Sequence, residues 1–287
     1  MITRRLVQDE SVVGRRKTKR WKILTRIALI LPFAAFLYSP SAASAGPLGS
    51  ADGFAVLSAS TVANTGSTII TGDLGLSPGS SITGLSSVVL TGTVHTDAAA
   101  QQARFDATTT YLAFALLPSA RNLTGQDLGG LTLTPGVYKF DSEAQLTGTL
   151  NLNGLGDPNA IFVFQIGGTL TTASGSAVNV IGGENNRVFW DVGSSATLGT
   201  GTNFAGSILA LASITMDTGA TNPCGRAMAL MGAVTLDTNT ISTCRAFAGV
   251  SGPGGVQDVP EPGTISLSCV GLLALSLHAW QSRKRLA

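Results

Sequence analysis

The regular spacing of threonine residues is the feature of this chain that could support binding. Six short blocks, such as Gly168-Thr-Leu and Ala233-Val-Thr-Leu, place a threonine directly before a leucine or methionine. Neighbouring side chains of a strand point to opposite faces, so an inward leucine leaves the threonine pointing outward. The predicted outward column is Thr132, Thr149, Thr169, Thr197, Thr215 and Thr235. Its hydroxyl and methyl groups could bind an ordered surface, although threonine also suits any exposed strand.

A second set of polar side chains shares the pattern Thr-Gly-x-Thr or Thr-Gly-x-Asn. Glycine permits the left-handed backbone of a tight turn, so the pattern predicts corners between strands. The set forms either an alternative binding face or plain turns. Its members are Thr65, Thr68, Thr200, Asn203, Thr218 and Thr221.

The sequence offers few residues that could form a catalytic site. Between Gly46 and Asp258 the only histidine is His95, which excludes a histidine metal cluster and leaves no spare base for a serine triad. It precedes a predicted helix and fits a capping role better than catalysis. We therefore predict no catalytic residues, no metal and no cofactor, and a protein that is not an enzyme.

Both ends of the chain carry targeting patterns. Residues 1–45 combine a basic start, an apolar core and a final Ala43-Ser44-Ala45, which predicts a signal peptide cleaved by signal peptidase. We favour the general secretory route over a twin-arginine route at Arg15-Arg16. The tail 260–287 has Pro260-Glu261-Pro262, an apolar run of marginal spanning length and the basic cluster 283–285.

This tail resembles the PEP-CTERM sorting signal of Gram-negative bacteria. The resemblance implies processing by a membrane protease of the exosortase type after transient anchoring in the inner membrane. A plain C-terminal membrane anchor is the alternative. Either way, the mature chain is predicted to be secreted or held at the cell surface or in the extracellular matrix.

The targeting segments also hold most of the positive charge. The whole chain is +2, but residues 46–258 hold six basic and thirteen acidic residues, a net charge of −7. A basic face is needed to bind nucleic acid, so that partner is excluded.

Two cysteines lie outside the tail, Cys224 and Cys244. In an oxidising compartment an even pair favours a disulfide, with two free thiols as the alternative. They are 20 residues apart. This matches one period of the repeat, so the bond would join adjacent coils.

The repeat itself predicts the fold. Leu133, Leu150, Leu170, Leu198, Met216 and Leu236 recur in steps of 17, 20, 28, 18 and 20 residues. Short strands at a period near 20 with glycine-rich corners indicate a β-solenoid. We place this domain at 46–250, followed by a Gly/Pro linker at 251–259.

One segment breaks the repeat and predicts a helix. Residues 97–117 are rich in alanine, Thr96 or Asp97 can cap their start, and Pro118 ends them. Phe105, Leu112 and Leu116 fall near one stripe. We expect one long helix that lies along the solenoid and covers an apolar side of it.

Strands, one helix and more strands match a known pattern. Residues 48–58, 71–79, 127–138, 161–166, 188–199 and 225–230 resemble, in order, motifs of the ice-binding-protein-like family. The resemblance covers essentially the whole mature chain. It implies a mainly β fold, a right-handed discontinuous β-solenoid of triangular section with one long α-helix alongside.

The resemblance also implies a partner. Short hydroxyl and methyl groups at strand and rung spacings can hold water in an ice-like array, so the expected partner is an ice crystal surface. The alternative is a structural or adhesive protein of the extracellular matrix or biofilm, which binds polysaccharide or protein instead.

Overall fold

The repeated blocks form short parallel strands that enter three sheets in a fixed order, A then B then C, in each coil. The computed structural model describes residues 46–157, 159–182 and 187–243. The predicted signal peptide, linker and tail, and Cys244, lie outside these residues.

Strand numbers follow the chain, whereas the order within each sheet follows the stacking of the coils. Sheet A contains β8 (Arg121–Asn122), β10 (Gly136–Phe140), β13 (Ile161–Ile166), β16 (Arg187–Val192), β18 (Gly206–Ala210), β21 (Gly225–Ala229), β1 (Phe54–Ser58), β4 (Asp73–Leu76) and β7 (Val94–His95). Sheet B contains β11 (Ala144–Leu146), β14 (Leu170–Thr172), β17 (Ala196–Leu198), β19 (Ile214–Met216), β22 (Val234–Asp237), β2 (Thr61–Thr65) and β5 (Ser81–Thr83).

Sheet C has two hydrogen-bonded parts. The first contains β9 (Thr132–Leu133), β12 (Thr149–Asn153) and β15 (Ala177–Ile181). The second contains β20 (Thr221–Asn222), β23 (Thr240–Ser242), β3 (Thr68–Thr71) and β6 (Val88–Leu90). Bridges from Asn203 to Ala177 and to Thr221 join the two parts.

The coils do not stack in chain order. The first strands pair with the last ones, β1 with β21, β2 with β22 and β3 with β23. After β7 the chain enters the helix α1 (Ala98–Ala115) and resumes at β8, the opposite edge of sheet A. The strand pairing therefore shows the discontinuous stacking that the family resemblance implies.

The interior of the solenoid is filled by one inward side chain at every second strand position. Leu150, Leu170, Leu198 and Leu236 are fully buried, as the repeat predicted. Aromatic rings also stack from coil to coil inside the solenoid. Ring centroids are 5.4 Å apart for Tyr138 and Phe164, 4.0 Å for Phe164 and Trp190, and 4.9 Å for Trp190 and Phe204.

Helix α1 begins and ends where the sequence predicts. The Asp97 carboxylate accepts a hydrogen bond from the backbone N–H of Ala99 at 3.0 Å, which is an N-cap. Leu116 is the C-cap, two residues before Pro118. The Gln165 side chain, on β13, donates to the carbonyls of Phe114 and Leu117 and so ties the end of the helix to sheet A.

The predicted contact stripe of the helix is wrong. Phe105, Leu112 and Leu116 are 66%, 57% and 85% exposed. The buried positions are instead Ala100, Ala103, Ala107 and Thr110. Small side chains let the helix backbone approach the sheet closely, so large apolar residues of β1, β16, β18 and β21 fill the interface from the sheet side.

Candidate functional site

Helix α1 decides which faces of the solenoid are free. Its packing partners in the strands, β1, β4, β13, β16 and β18, all belong to sheet A. Phe189, Leu209 and Met228 point outward from sheet A and are buried with the helix alanines. Among the described residues, no helix lies over the outer faces of sheets B and C, so a surface ligand must be sought there.

Sheet B carries an uninterrupted row of outward side chains, which we call the central column. Strand register pairs each member with the next one, coil by coil. In stacking order the members are Gln145, Thr171, Thr197, Thr215, Thr235, Ala63 and Thr83. Four consecutive rungs thus present threonine, and Ala63 separates them from a fifth.

A second row of short side chains lies two residues before the central column, and we call it the flanking column. Its members are Glu143, Thr169, Ser195, Ser213, Ala233, Thr61 and Ser81. The Ser195 hydroxyl accepts from the backbone N–H of Ser213 at 3.3 Å, and the Ser213 hydroxyl accepts from that of Ala233 at 3.1 Å. These bonds fix the serine oxygens on the sheet and leave their protons free to donate outward.

The two columns form a neutral surface. Glu143 is their only charged member, and a bridge from Gln145 to Asp127 continues the central column by one rung, so the charge in this row is confined to the β11 end of the sheet. The register of sheet B shows no shift, whereas sheet A has one between Phe54 and Val56. Regular register spaces the rungs evenly, so hydroxyl and methyl groups repeat at about 4.8 Å between rungs and about 6.6 Å along a strand.

The structure brings together three of the six members of the predicted threonine column. Thr197, Thr215 and Thr235 stand side by side in the central column. Thr169 lies one step away, in the flanking column, and Thr171 takes the expected place next to Thr197. The prediction that all six share one face is wrong for Thr132 and Thr149, which belong to sheet C.

The sequence repeat gave the wrong register for the coil that contains β14, and the structure shows the physical cause. The repeat in the sequence aligns Leu170 with Leu198, but the structure pairs Leu198 with Thr172. Thr172 points inward and is 3% exposed. Its hydroxyl shares a 2.8 Å hydrogen bond with that of Thr202 and accepts from the backbone N–H of Gly199 at 2.9 Å. A satisfied polar group thus occupies a position where leucine was expected.

The alternative set of polar residues divides among a corner, a sheet and the interior. Thr200 and Thr218 lie on neighbouring coils at the corner between sheets B and C, since the N–H of Gly201 donates to the carbonyl of Thr218. Asn203 and Thr221 are paired on sheet C.

The remaining two members of this set are Thr65 and Thr68. Thr65 ends β2. Thr68 is fully buried, and its hydroxyl accepts from the backbone N–H of Asn239, so it cannot contact a ligand. Gly66, Gly201 and Gly219 have φ of 70°, 66° and 72°, so the predicted left-handed turns are confirmed.

Sequence reasoning missed three outward threonines and one buried acid. Thr61, Thr83 and Thr171 belong to the two columns and were not selected because their blocks lack the Thr-Leu signature. Asp191 points outward from β16 beneath the helix and is 4% exposed. Burial raises its pKa to about 7.

The described residues offer little for catalysis. Among them no group of three or more His, Cys, Asp or Glu side chains could hold a metal ion. His95 packs edge-on against Phe54, with ring centroids 5.4 Å apart, and lies 3.6 Å from the Asp97 carboxylate at the start of the helix. The N-cap of the helix is Asp97, so His95 lies beside the cap and does not form it.

Two sequence predictions concern the ends of the solenoid. Cys224 is disulfide-bonded. Cys244 lies outside the described residues, so its pairing with Cys224 stays a prediction. Within the described ranges, no helix combines the length and the apolar character needed to cross a membrane.

The fold and the site define a parallel β-solenoid with one helix-covered face and an uncovered, hydroxyl-rich sheet. Residues 56–242 match the model of the family described as Ice-binding-like. The chain therefore belongs to this family, and the resemblance stated from its motifs is confirmed.

Individual relatives agree in length and fold. The chain is 51% identical over 261 residues to an ice-binding protein of Nostoc sp. (strain HG1), covering 90% of this chain and 95% of that protein. It is 33% identical to an ice-binding protein of Flavobacterium frigoris (strain PS1), covering 68% and 75%. A crystal structure of an ice-binding protein from an Antarctic biological consortium superposes with a TM-score of 0.65 at 50% identity, covering 68% and 89%.

Proposed function

We propose that this protein binds ice through the outer face of sheet B. The observation that carries the proposal is the central column, in which Thr171, Thr197, Thr215 and Thr235 repeat on four consecutive rungs. The family and its relatives named for ice binding support the same function.

The mechanism is the ordering of water on a rigid template. Each threonine or serine hydroxyl anchors one water molecule by hydrogen bonding, and each methyl group limits how that water can reorient toward bulk structure. Parallel strands hold the anchors at about 4.8 Å along the solenoid axis. The anchored layer then joins the ice lattice, and the protein is held at the crystal surface without any covalent chemistry.

Neutrality of the face supports ice over an ionic ligand. A charged side chain binds water more tightly than the ice lattice does, and it disturbs the array around it. Apart from Glu143 and Asp127 at the β11 end, the acidic residues nearest the columns are Asp217 and Asp237, where β19 and β22 end, and Asp237 accepts a hydrogen bond from Thr218. Within the two columns, the rungs from Thr169 to Thr83 contain only Thr, Ser and Ala.

The alternative function, a matrix or adhesive protein that binds polysaccharide or protein, has less support. The relatives described above are named for ice binding. A sugar-binding surface typically adds aromatic side chains to its polar groups, and neither column contains one.

We also propose the cellular route that the sequence predicts. Residues 1–45 act as a signal peptide, and residues 260–287 act as a sorting tail that anchors the protein transiently before exosortase removes it. In the mature solenoid we propose a right-handed winding and a triangular section. Intact-mass analysis of secreted protein should give a chain that begins at Gly46 and lacks residues 283–285, and a full-length mass would contradict the route.

The test of the binding face is Thr215→Tyr, at the middle of the central column. A tyrosine ring stands above the flat row and keeps ice from the neighbouring rungs, while its outward position leaves the strand pairing intact. We expect thermal hysteresis and ice recrystallisation inhibition to be lost at an unchanged melting temperature of the protein.

Two matched variants locate the site. Thr149→Tyr places the same ring on sheet C, and Thr218→Tyr places it at the corner between sheets B and C. Both should retain activity. Loss of activity in Thr218→Tyr alone would move the site to the corner, and loss in Thr149→Tyr alone would move it to sheet C. A folded wild-type protein without thermal hysteresis would contradict ice binding itself.

A further inference from the structure

The two ends of the solenoid differ in how well their inward residues are buried. At the end formed by β8, β9 and β11, the inward residues Leu123 and Leu128 are fully buried. At the other end, the terminal coil 81–95 contributes β5, β6 and β7, each an edge strand of its sheet. Its inward residues Ile82, Val88, Leu90 and Val94 are only partly buried. This second end, which we call the open end, leaves the hydrophobic interior in contact with solvent.

Apolar residues around the open end enlarge this surface. Val89, on β6, is 58% exposed, and its neighbour on the preceding coil, Ile69, is 44% exposed. Leu85 is 38% exposed in the short 3-10 turn Leu85–Ser87. Val89 and Ile69 point to the outer side of sheet C, opposite to the inward Val88 and Ile70, so they form an apolar patch beside the open end.

The open end also lacks the features that keep sheet edges apart. Exposed edge strands normally carry charged residues that prevent pairing with another chain. Residues 74–96 contain no Asp, Glu, Lys or Arg. Solenoids require a polar terminal repeat to stay soluble. The chain otherwise has a net charge of −7 between residues 46 and 258, so the neutrality of this end is local.

We propose that the open end is the interface of a symmetric dimer, formed by two copies of this chain end to end. A second copy supplies what this surface lacks, namely three neutral strand edges and an apolar interior of the same outline. The opposite end also consists of edge strands, β8, β9 and β11, but its inward residues Leu123 and Leu128 are fully buried, so it offers no comparable apolar surface for head-to-tail growth into filaments.

A two-fold axis through the open end closes the assembly at two copies. It would bring each edge strand against an edge strand of the partner in antiparallel order, the geometry in which unpaired N–H and C=O groups exchange hydrogen bonds. The residues after Thr243 are a weaker occupant. Between 251 and 259 they contain three Gly and one Pro, which disfavour the strand needed to pair with an edge.

The test is the oligomeric state of the protein expressed from its full-length sequence, measured by sedimentation velocity over a concentration series. We expect a monomer–dimer equilibrium for the wild type. In the antiparallel pairing of β6 with its copy in the partner, Val89→Lys places two like charges on the same side of the joined strands, and we expect it to weaken dimerisation about 100-fold or more. Leu112→Lys is the matched control, because Leu112 is equally exposed at 57% but lies on the outer face of α1. It should leave the dimer unchanged.

Hydrogen exchange separates the remaining outcomes. In a dimer, amide protection of β5, β6 and β7 rises with protein concentration. Protection that is the same at all concentrations would mean that the chain covers its own end, and would overturn the proposal. A monomeric wild type, or a dimer that Leu112→Lys dissociates and Val89→Lys does not, would overturn it as well. Ice activity plays no part in this test.

Discussion

The buried acid beneath the helix offers the sharpest test of how the helix is held. Asp191 points outward from β16, between Gln165 on β13 and Leu209 on β18. It is 4% exposed, and within the described residues one of its carboxylate oxygens has no hydrogen-bond partner. Tyr111 of the helix faces the same region, and its pKa is raised by burial and by the nearby Asp191. We predict that Asp191→Asn removes most of the pH dependence of stability near neutrality.

The sign and size follow from the raised pKa. Burial raises the pKa of Asp191 to about 7 in the folded state. An aspartate in the unfolded chain titrates near 3.9, so between these values the folded state holds one more proton. Stability therefore falls as pH rises through this window, by about 1.4 kcal/mol per pH unit. From pH 5 to pH 7 the loss is about 2 kcal/mol, because the slope halves as the pH reaches the folded-state pKa, and above about pH 8 the curve is flat.

The titration of other carboxylates does not obscure the change in stability expected between pH 5 and pH 7. A hydrogen bond from the backbone N–H of Ala99 lowers the pKa of Asp97, and one from the Ser50 hydroxyl lowers that of Asp106. Groups with lowered pKa contribute stability above about pH 4 and lose it as pH falls further, so their effect lies below pH 5.

The assay is urea unfolding of wild type and Asp191→Asn at half-unit steps from pH 5 to pH 8. The wild-type free energy of unfolding should decline across this range, and the variant should be nearly flat and more stable at pH 8. Glu143→Gln, at an exposed position at one end of sheet B, is the control and should keep the wild-type slope. A wild-type curve that is flat or rises between pH 5 and pH 7 would refute the reasoning.

Three further substitutions test the face, the corners and the core. Ala63→Thr fills the gap between Thr235 and Thr83 in the central column, so thermal hysteresis should increase; a decrease at unchanged stability would contradict the column. Gly201→Ala has free space around the new methyl group but a φ of 66°, so unfolding experiments should show a loss of about 1 kcal/mol from backbone strain alone. Phe164→Ala removes the middle of the aromatic stack and should cost about 3–5 kcal/mol in the same measurement, whereas a cost below about 1 kcal/mol would mean that the neighbouring rings collapse into the space.

The architecture could be predicted because the repeat and the helix each have a strong local signature. Leucines at a period near 20 predicted the stacked strands, and the alanine-rich segment between Asp97 and Pro118 predicted the helix. The discontinuous stacking came from the resemblance to a family. No local pattern records that β1 pairs with β21, because the pairing joins residues more than 170 positions apart.

The position of the site was harder to predict because a strand period of two fits several registers. Thr-Leu occurs on sheet B at Thr197 and on sheet C at Thr149. A period near 20 counts coils but does not tell which of three strands in a coil a block belongs to. In coil β14 the inward Thr172 hid the true register, and only the hydrogen bonds to Thr202 and Gly199 explain why a hydroxyl is tolerated there.

The prediction of which face of the helix contacts the sheet was wrong for a related reason. Large apolar residues usually mark the buried side of a helix, yet α1 buries its alanines and exposes Phe105, Leu112 and Leu116. Sheet A already supplies bulky side chains such as Phe189 and Met228, and two bulky surfaces would hold the helix too far away for Gln165 to reach its last carbonyls. Alanines at 100, 103 and 107 were the signal that could have been used.

Because the chain returns through the helix, the length of α1 with its flanking segments must match the distance from β7 to β8 across sheet A. Sheet A has nine strands from β7 to β8, a distance of about 38 Å at about 4.8 Å per rung. The 18 residues of α1 cover about 27 Å of it, and the segments at either end of the helix cover the rest. Duplicating one coil in the gene would move the two ends about 4.8 Å apart and require about three more helical residues. The solenoid is built from two segments, residues 54–95 and 121–243, and a new coil could enter either of them. Evolution of a larger face in this chain therefore demands two coordinated insertions, one in the repeats and one in the helix.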